Sequence, residues 1–249
     1  MLKLANKKIT TLLSALVLSY SLASCSTNNA TQELLPQDTN ISSIKRDIKT
    51  PQDAIKQFSD AYTQLKDFTG VVTIADSKSG DPADAVTGDS KFFFKKDRNE
   101  RVEITKSTDA QKQGTLLAYK GGDKVQIILA KAIPILGKKF TLAVTDKKIG
   151  TSRGVSFDQL DLTSMLNRFN KAGVTLSLVS SDANSIKISG AGTFKGIDSE
   201  VTNEILTLDA KTMLPLEDEV FVKNKTVLKI SVADLKLNVG LKDDLFTIF

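Results

Sequence analysis

The chain has 249 residues, 34 of them Lys or Arg and 29 Asp or Glu, with one cysteine, no histidine and no tryptophan. Lacking histidine, it has neither the commonest general base nor the commonest transition-metal ligand. A single cysteine leaves no intramolecular disulfide and no thiolate set for zinc, haem or an iron–sulfur cluster, so neither a cofactor nor a metal is expected.

The first segment opens with Met1-Leu2-Lys3, carries Lys7 and Lys8, continues as an apolar stretch over 9–23 and closes on Leu22-Ala23-Ser24-Cys25. A positive start, a short apolar run and small residues before a cleavage point are the pattern of a secretory signal peptide. The apolar run falls short of the ~20 residues that span a bilayer. It also holds five Ser or Thr residues, which suits a cleaved segment better than a permanent anchor. With the cysteine directly after the small residues, the stretch resembles the lipobox of bacterial lipoproteins. That resemblance implies that residues 1–24 are removed, that Cys25 becomes the acylated (palmitate-bearing) N-terminus, and that the chain is lipid-anchored in the bacterial envelope. Ser26 implies the outer membrane, facing the periplasm, if the source has two membranes. Removing the leader also removes Lys3, Lys7 and Lys8, so 31 basic residues remain against 29 acidic ones. The basic balance therefore belongs to the leader, and nucleic acid is not an expected partner.

Residues 25–49 are rich in Ser, Thr, Asn and Gln without sustained periodicity. They read as a flexible tether, with a reach on the order of 25–30 Å. Residues 50–249 read as one domain. Thr50, Pro51 and Asp53 form a helix start, and Ala54, Ile55, Phe58, Ala61, Tyr62 and Leu65 recur at spacings of three and four. This predicts a helix over 50–66 with one apolar face. Short β-rich runs follow at 70–75, 91–96, 101–106, 115–120, 124–129 and 139–144. Gly121-Gly122-Asp123 between two of these marks a hairpin. Ser156 and Gln159 have the spacing of a capping box, which predicts a second helix running to Gly173. Further strands are expected over 174–180, 185–194, 200–209, 216–223 and 226–237, with a last short one at 245–248.

Regular strands with two helices predict an α+β fold: a strongly curved antiparallel sheet, or half-open β-barrel, of about 10–11 strands with helices over its mouth. The periodicity leaves two interiors open. The helices complete a filled core, or they cover an apolar cavity. No nucleophile elbow or metal motif is present, so an enzyme is not expected.

Three stretches carry a further resemblance: 91–104 (KFFFKKDRNERVEI), 205–215 (ILTLDAKTMLP) and 232–246 (VADLKLNVGLKDDLF). They resemble segments of the periplasmic lipoprotein carriers and their membrane-bound acceptors, the last stretch resembling the end of a little-characterised exported group. The resemblance implies a cavity that accepts acyl chains of lipids or lipoproteins, and an arginine in the second hairpin that holds a lid shut, for which Arg101 is the matching position. Phe58, Phe92, Phe94, Ile104, Leu116 and Ile128 are the expected cavity lining, on a guessed strand parity. The lipobox sets the chain apart from a freely diffusing carrier and implies a tethered acceptor. The other reading is a structural or interaction lipoprotein with envelope protein partners, a filled core and no lipid ligand.

Overall fold

The structure, a computed structural model, describes residues 47–133, 137–192 and 200–249. The lipobox and most of the tether lie outside the described residues. The predicted first helix is α1 (Pro51–Gln64). Its N-terminus is closed reciprocally: the Asp53 amide donates to Thr50 Oγ1 at 3.1 Å and the Thr50 amide donates to Asp53 Oδ2 at 2.9 Å. Such a cap contributes about 1 kcal/mol. Its apolar face buries Ala54, Ile55, Phe58 and Ala61 completely or nearly so.

Next come β1 (Asp67–Asp76), β2 (Val86–Lys95), β3 (Asn99–Ser107), β4 (Leu116–Lys120), β5 (Lys124–Ile133) and β6 (Gly137–Ala143). Then come α2 (Leu162–Phe169), β7 (Val174–Ser181), β8 (Ser185–Gly192), β9 (Asn203–Asp209), β10 (Pro215–Val222) and β11 (Lys225–Leu237). All eleven strands form one curved, open antiparallel sheet in the order β6-β5-β4-β3-β2-β1-β11-β10-β9-β8-β7. Two meanders are thus joined by pairing the first strand with the last, Val72 opposite Val232. At this junction β11 bulges, with Asp234 at φ 52°, and Gly70 faces the bulge. A Cβ on Gly70 would lie 3.0 Å from the Ala233 carbonyl oxygen, so a larger residue there would push the two central strands apart.

The helices lie on the concave face. The main core joins Ile55 and Phe58 of α1 and Met165 and Phe169 of α2 to inward residues such as Phe94, Ile188 and Leu206. A second cluster under β4 and β5 gathers Leu117, Tyr119, Val125 and Ile127 around Phe157.

The structure corrects two expected elements. The second helix does not run unbroken from Ser156. The capping box forms, with the Ser156 amide donating to Gln159 Oε1 at 2.8 Å, but it caps only a 3-10 turn, Phe157–Gln159. Asp161 then caps α2 separately, accepting from the Ser164 amide at 2.6 Å. The expected strand at 245–248 is instead a 3-10 turn, Asp243–Phe246, followed by extended chain. The cause lies in Asn238 and Gly240, both at positive φ, which turn the chain out of the sheet. The buried Asp67 carboxylate holds the turn, accepting from the Gly240 and Leu241 amides at 3.2 and 3.3 Å.

The last residues then cross the convex face. Phe93, Arg101, Ala118 and Gln126 are cross-strand partners in one row. Phe246 packs beside Phe93, the Leu245 carbonyl accepts from Arg101, and Gln126 bonds Ile248 and Phe249. The tail therefore acts as a strap over β2 to β5.

Candidate functional site

Beneath α2, between its apolar face and the middle of the sheet, lies a cavity of about 130 Å³. Its floor is formed by Phe68 and Val72 of β1, Phe92 and Phe94 of β2, Val102 of β3, and Ile230, Val232 and Leu235 of β11. Its roof is Phe157, Leu160, Leu162 and Met165. Strand parity explains the floor. Phe92 faces Val102 and Phe94 faces Glu100 across β2 and β3, so alternate residues of both strands point inward while Phe93 and Arg101 point outward. The rings of Phe68 and Phe94 stack at 5.0 Å and Tyr62 of α1 approaches Phe94 at 6.0 Å, which fixes one wall.

Four acidic side chains, Glu100, Asp161, Glu217 and Asp218, border this largely apolar lining. Glu100 is 3% exposed and Asp218 2% exposed, and both border the cavity, as does Asp161. Burial, reinforced by the nearby Asp161 carboxylate and opposed by Arg98, pushes Glu100 up to about 8 from its ordinary 4.5. Burial, then the neighbouring Glu204 carboxylate, raises Asp218 well above the usual carboxylate range. One oxygen of each, Glu100 Oε1 and Asp218 Oδ1, has no hydrogen-bond partner.

Two arginines pin the roof. At the N-terminal end of α2, Arg98 reaches from the β2–β3 turn to Asp161, Nη2 to Oδ2 2.5 Å, with its guanidinium 5.6 Å from the centre of the Tyr119 ring. Tyr62 of α1 shares a 2.9 Å hydrogen bond with Thr163. At the other end Arg168 is buried. It makes a forked contact with Glu204, Nε donating at 3.0 Å and Nη2 at 2.7 Å, and its Nη2 also donates to Asp218 at 3.2 Å. Its Nη1 donates to the Gln159 carbonyl at 2.8 Å, tying the 3-10 turn to the helix.

Phe92 and Phe94, expected from the sequence, meet at this cavity. Phe58 is fully buried in the main core instead, and Ile104 packs against the second cluster. Leu116 and Ile128 pair with each other on the opposite parity, and their neighbours Leu117 and Ile127 take the inward positions. Arg101 lies on the convex face, where Nε donates to Glu103 at 2.8 Å and Nη1 to the Leu245 carbonyl at 3.0 Å. The arginine that joins the second hairpin to the roof is Arg98, three residues earlier. Cys25 lies outside the described residues. Sequence reasoning missed Glu100, Arg98, Arg168, Glu204 and Asp218. Glu100 carried a usable signal, since it shares the parity of Val102 and Ile104 and so falls on the apolar face.

No family model matches the chain, and no curated protein matches it. Among solved structures, the chain is similar to an uncharacterised conserved protein from Thermus thermophilus at 11% identity, covering 80% of this chain and 93% of that one, with a TM-score of 0.50. It is also similar to a LolA superfamily protein from Nitrosomonas europaea, at 14% identity with 81% and 99% covered and a TM-score of 0.42. A third is the Mycobacterium tuberculosis lipoprotein LppX, at 15% identity with 76% and 95% covered and a TM-score of 0.43. The likeness to the Thermus protein is one of fold.

Proposed function

We propose that this chain is a membrane-tethered lipid- or lipoprotein-binding protein of the bacterial cell envelope, a non-enzymatic acceptor that takes acyl chains between its curved sheet and α2. The observation that carries the reading is the largely apolar, partly open cavity beneath a short helix held by polar side chains at both ends. A filled core is the alternative, for a structural lipoprotein, and the space beneath α2 favours the acyl-binding reading over it. Cys25 as the acylated anchor rests on the lipobox resemblance, and residues 50–249 as the binding domain rest on the single sheet and its two helices.

The cavity volume determines how binding proceeds. At about 130 Å³ it is near the ~150 Å³ that admits a benzene-sized molecule, too small for a long acyl chain. Accommodating such a chain therefore requires the cavity to widen, which lifting α2 would do. Each methylene then buried contributes about 0.8 kcal/mol, so about ten of them outweigh a partly exposed ion pair contributing about 1 kcal/mol or less. We assign the latch to Arg98 with Asp161. Arg98→Met is expected to speed uptake of a fluorescent acyl probe, and Arg101→Met to leave the uptake rate unchanged. The decisive experiment is mass spectrometry of lipids retained on the protein purified from its own cells. A folded protein that carries no lipid and takes up none would overturn the reading in favour of a structural envelope lipoprotein. Incorporation of labelled palmitate, lost in Cys25→Ala, tests the anchor separately.

A further inference from the structure

At one corner the cavity presents an unpaired polar atom. Glu100 sits on the inward row of β3, opposite Phe94 on one side and Tyr119 on the other, and it borders the cavity. It is 97% buried, and its Oε1 has no partner. A buried oxygen left without a hydrogen bond costs about 1–3 kcal/mol, a cost a ligand can remove. A second orphan, Asp218 Oδ1, lies on β10, four strands along the sheet and about 19 Å away along its arc. Between them the floor is apolar except for Ser90 of β2.

The charges around the cavity narrow the class of ligand. No Lys or Arg is among its lining residues. Arg98 is engaged with Asp161, and Arg168 with Glu204 and Asp218. A fatty-acid carboxylate or a phosphate entering here would bury a negative charge among four acidic side chains, and the nearest cation, Arg98, is already paired with Asp161 and leaves only its buried Nε unbonded. An ammonium would bring a charge and three donors to a corner where Glu100 is neutral and Asp161 is already paired with Arg98. Resting on the acyl-binding reading above, we propose that the cavity selects a chain whose buried polar group is a hydroxyl, donated to Glu100. The hydroxyl suits this carboxyl in a second way. Burial keeps Glu100 protonated at neutral pH, so the group offers both a lone pair and a proton, and a hydroxyl complements both.

The test is calorimetric titration of the full chain carrying Cys25→Ala, which lacks the acyl group that would itself compete for the cavity. The ligands are decan-1-ol, its methyl ether, decylamine and decanoate at pH 7. Decan-1-ol is expected to bind roughly three- to tenfold more tightly than the ether, the worth of one net hydrogen bond, with decylamine and decanoate weaker than decan-1-ol. Glu100→Leu should bring alcohol and ether to equal affinity, while Glu100→Gln, which keeps an acceptor, should retain the preference. Circular dichroism verifies that both variants are folded. Tightest binding by decanoate or decylamine, or an alcohol preference that survives Glu100→Leu, would overturn the hydroxyl inference and leave acyl binding intact. Failure of all four ligands to bind would remove the acyl-binding reading and this inference with it.

Discussion

Replacing Glu100 by Gln should make the protein's stability less dependent on pH, in a direction set by burial. In the unfolded chain the carboxyl titrates near 4.5, and in the folded protein near 8. Between these values the folded state holds a proton that the unfolded state has released. Stability from this group is therefore complete below about pH 4.5 and falls as pH rises toward 8. The slope is about 1.4 kcal/mol per pH unit, so the accumulated loss is about 3 kcal/mol at pH 7 and about 5 kcal/mol above pH 8. The surrounding ionisable groups are Asp161, which raises the value, and Arg98, which lowers it, with Tyr119 and Tyr62 close by. None of these is altered in Glu100→Gln. The amide keeps the shape, stays neutral at every pH and adds at most a constant offset from its own unmet hydrogen bonds. Urea denaturation of both proteins at half-unit steps from pH 4.5 to 8.5 gives the difference directly. The variant is expected to gain on the wild type steadily across that window and to stop gaining above pH 8. Parallel stability curves, or a wild type that gains on the variant as pH rises, would refute the assignment of a buried, protonated Glu100.

Arg168→Met leaves Glu204 buried without its partner and should cost about 3–5 kcal/mol by chemical denaturation. Adding Glu204→Leu and Asp218→Leu should restore most of that. Leu117→Ala is expected to cost about 2–4 kcal/mol and Leu116→Ala under about 1 kcal/mol, since only the former lies in the packed inner face. Phe246→Ala should cost about 3–5 kcal/mol if the convex strap is part of the fold, and a near-neutral melting shift would show that it is not. In hydrogen exchange, amides of the 3-10 turn and the first turn of α2 should exchange before those around Arg168.

The sheet was legible because its strands alternate and are punctuated by Gly, Asp and Asn. The Gly121-Gly122-Asp123 hairpin and the Thr50 cap formed as the residues demand. Parity was less legible. Where a strand is apolar on both faces, as in Leu116-Leu117 or Ile127-Ile128, alternation carries no information about which side meets the core. Phe92-Phe93-Phe94 shows the reason, because Phe93 is also covered, by the terminal strap. A sheet buried on its outside by a distant segment loses the polar face that would have marked the direction. The arginines were hard to place for a similar reason. Arg101 alternates with apolar residues, as an outward residue should, whereas Arg98 reaches the roof from a turn, at φ 60°, where periodicity does not apply. The buried triad was invisible because Arg168 lies on α2 while Glu204 and Asp218 lie on the paired strands β9 and β10, and only the packing of the helix on the sheet brings the three together.

The two ends of the roof differ in what holds them, and that difference fixes where it opens. An isolated helix of eight residues does not maintain itself in water, so α2 persists through its side-chain attachments. At the N-terminal end the Arg98 side chain is 38% exposed, and an ion pair with one such partner contributes about 1 kcal/mol or less after solvent screening. The Tyr62–Thr163 hydrogen bond adds about 1 kcal/mol. At the other end the guanidinium of Arg168 is buried between two carboxyls and a carbonyl, and separating it would strand a charge in an apolar interior at a cost of several kcal/mol. The weaker end yields first, and the helix swings about Arg168 rather than lifting evenly. The end that swings carries Asp161, beside Glu100 at the cavity's edge. A chain entering there passes Glu100 before it reaches the apolar floor. The latch, the mouth and the unpartnered Oε1 of Glu100 therefore occupy the same corner of the fold, so exchange that begins at the first turn of α2 would mark the ligand's way in.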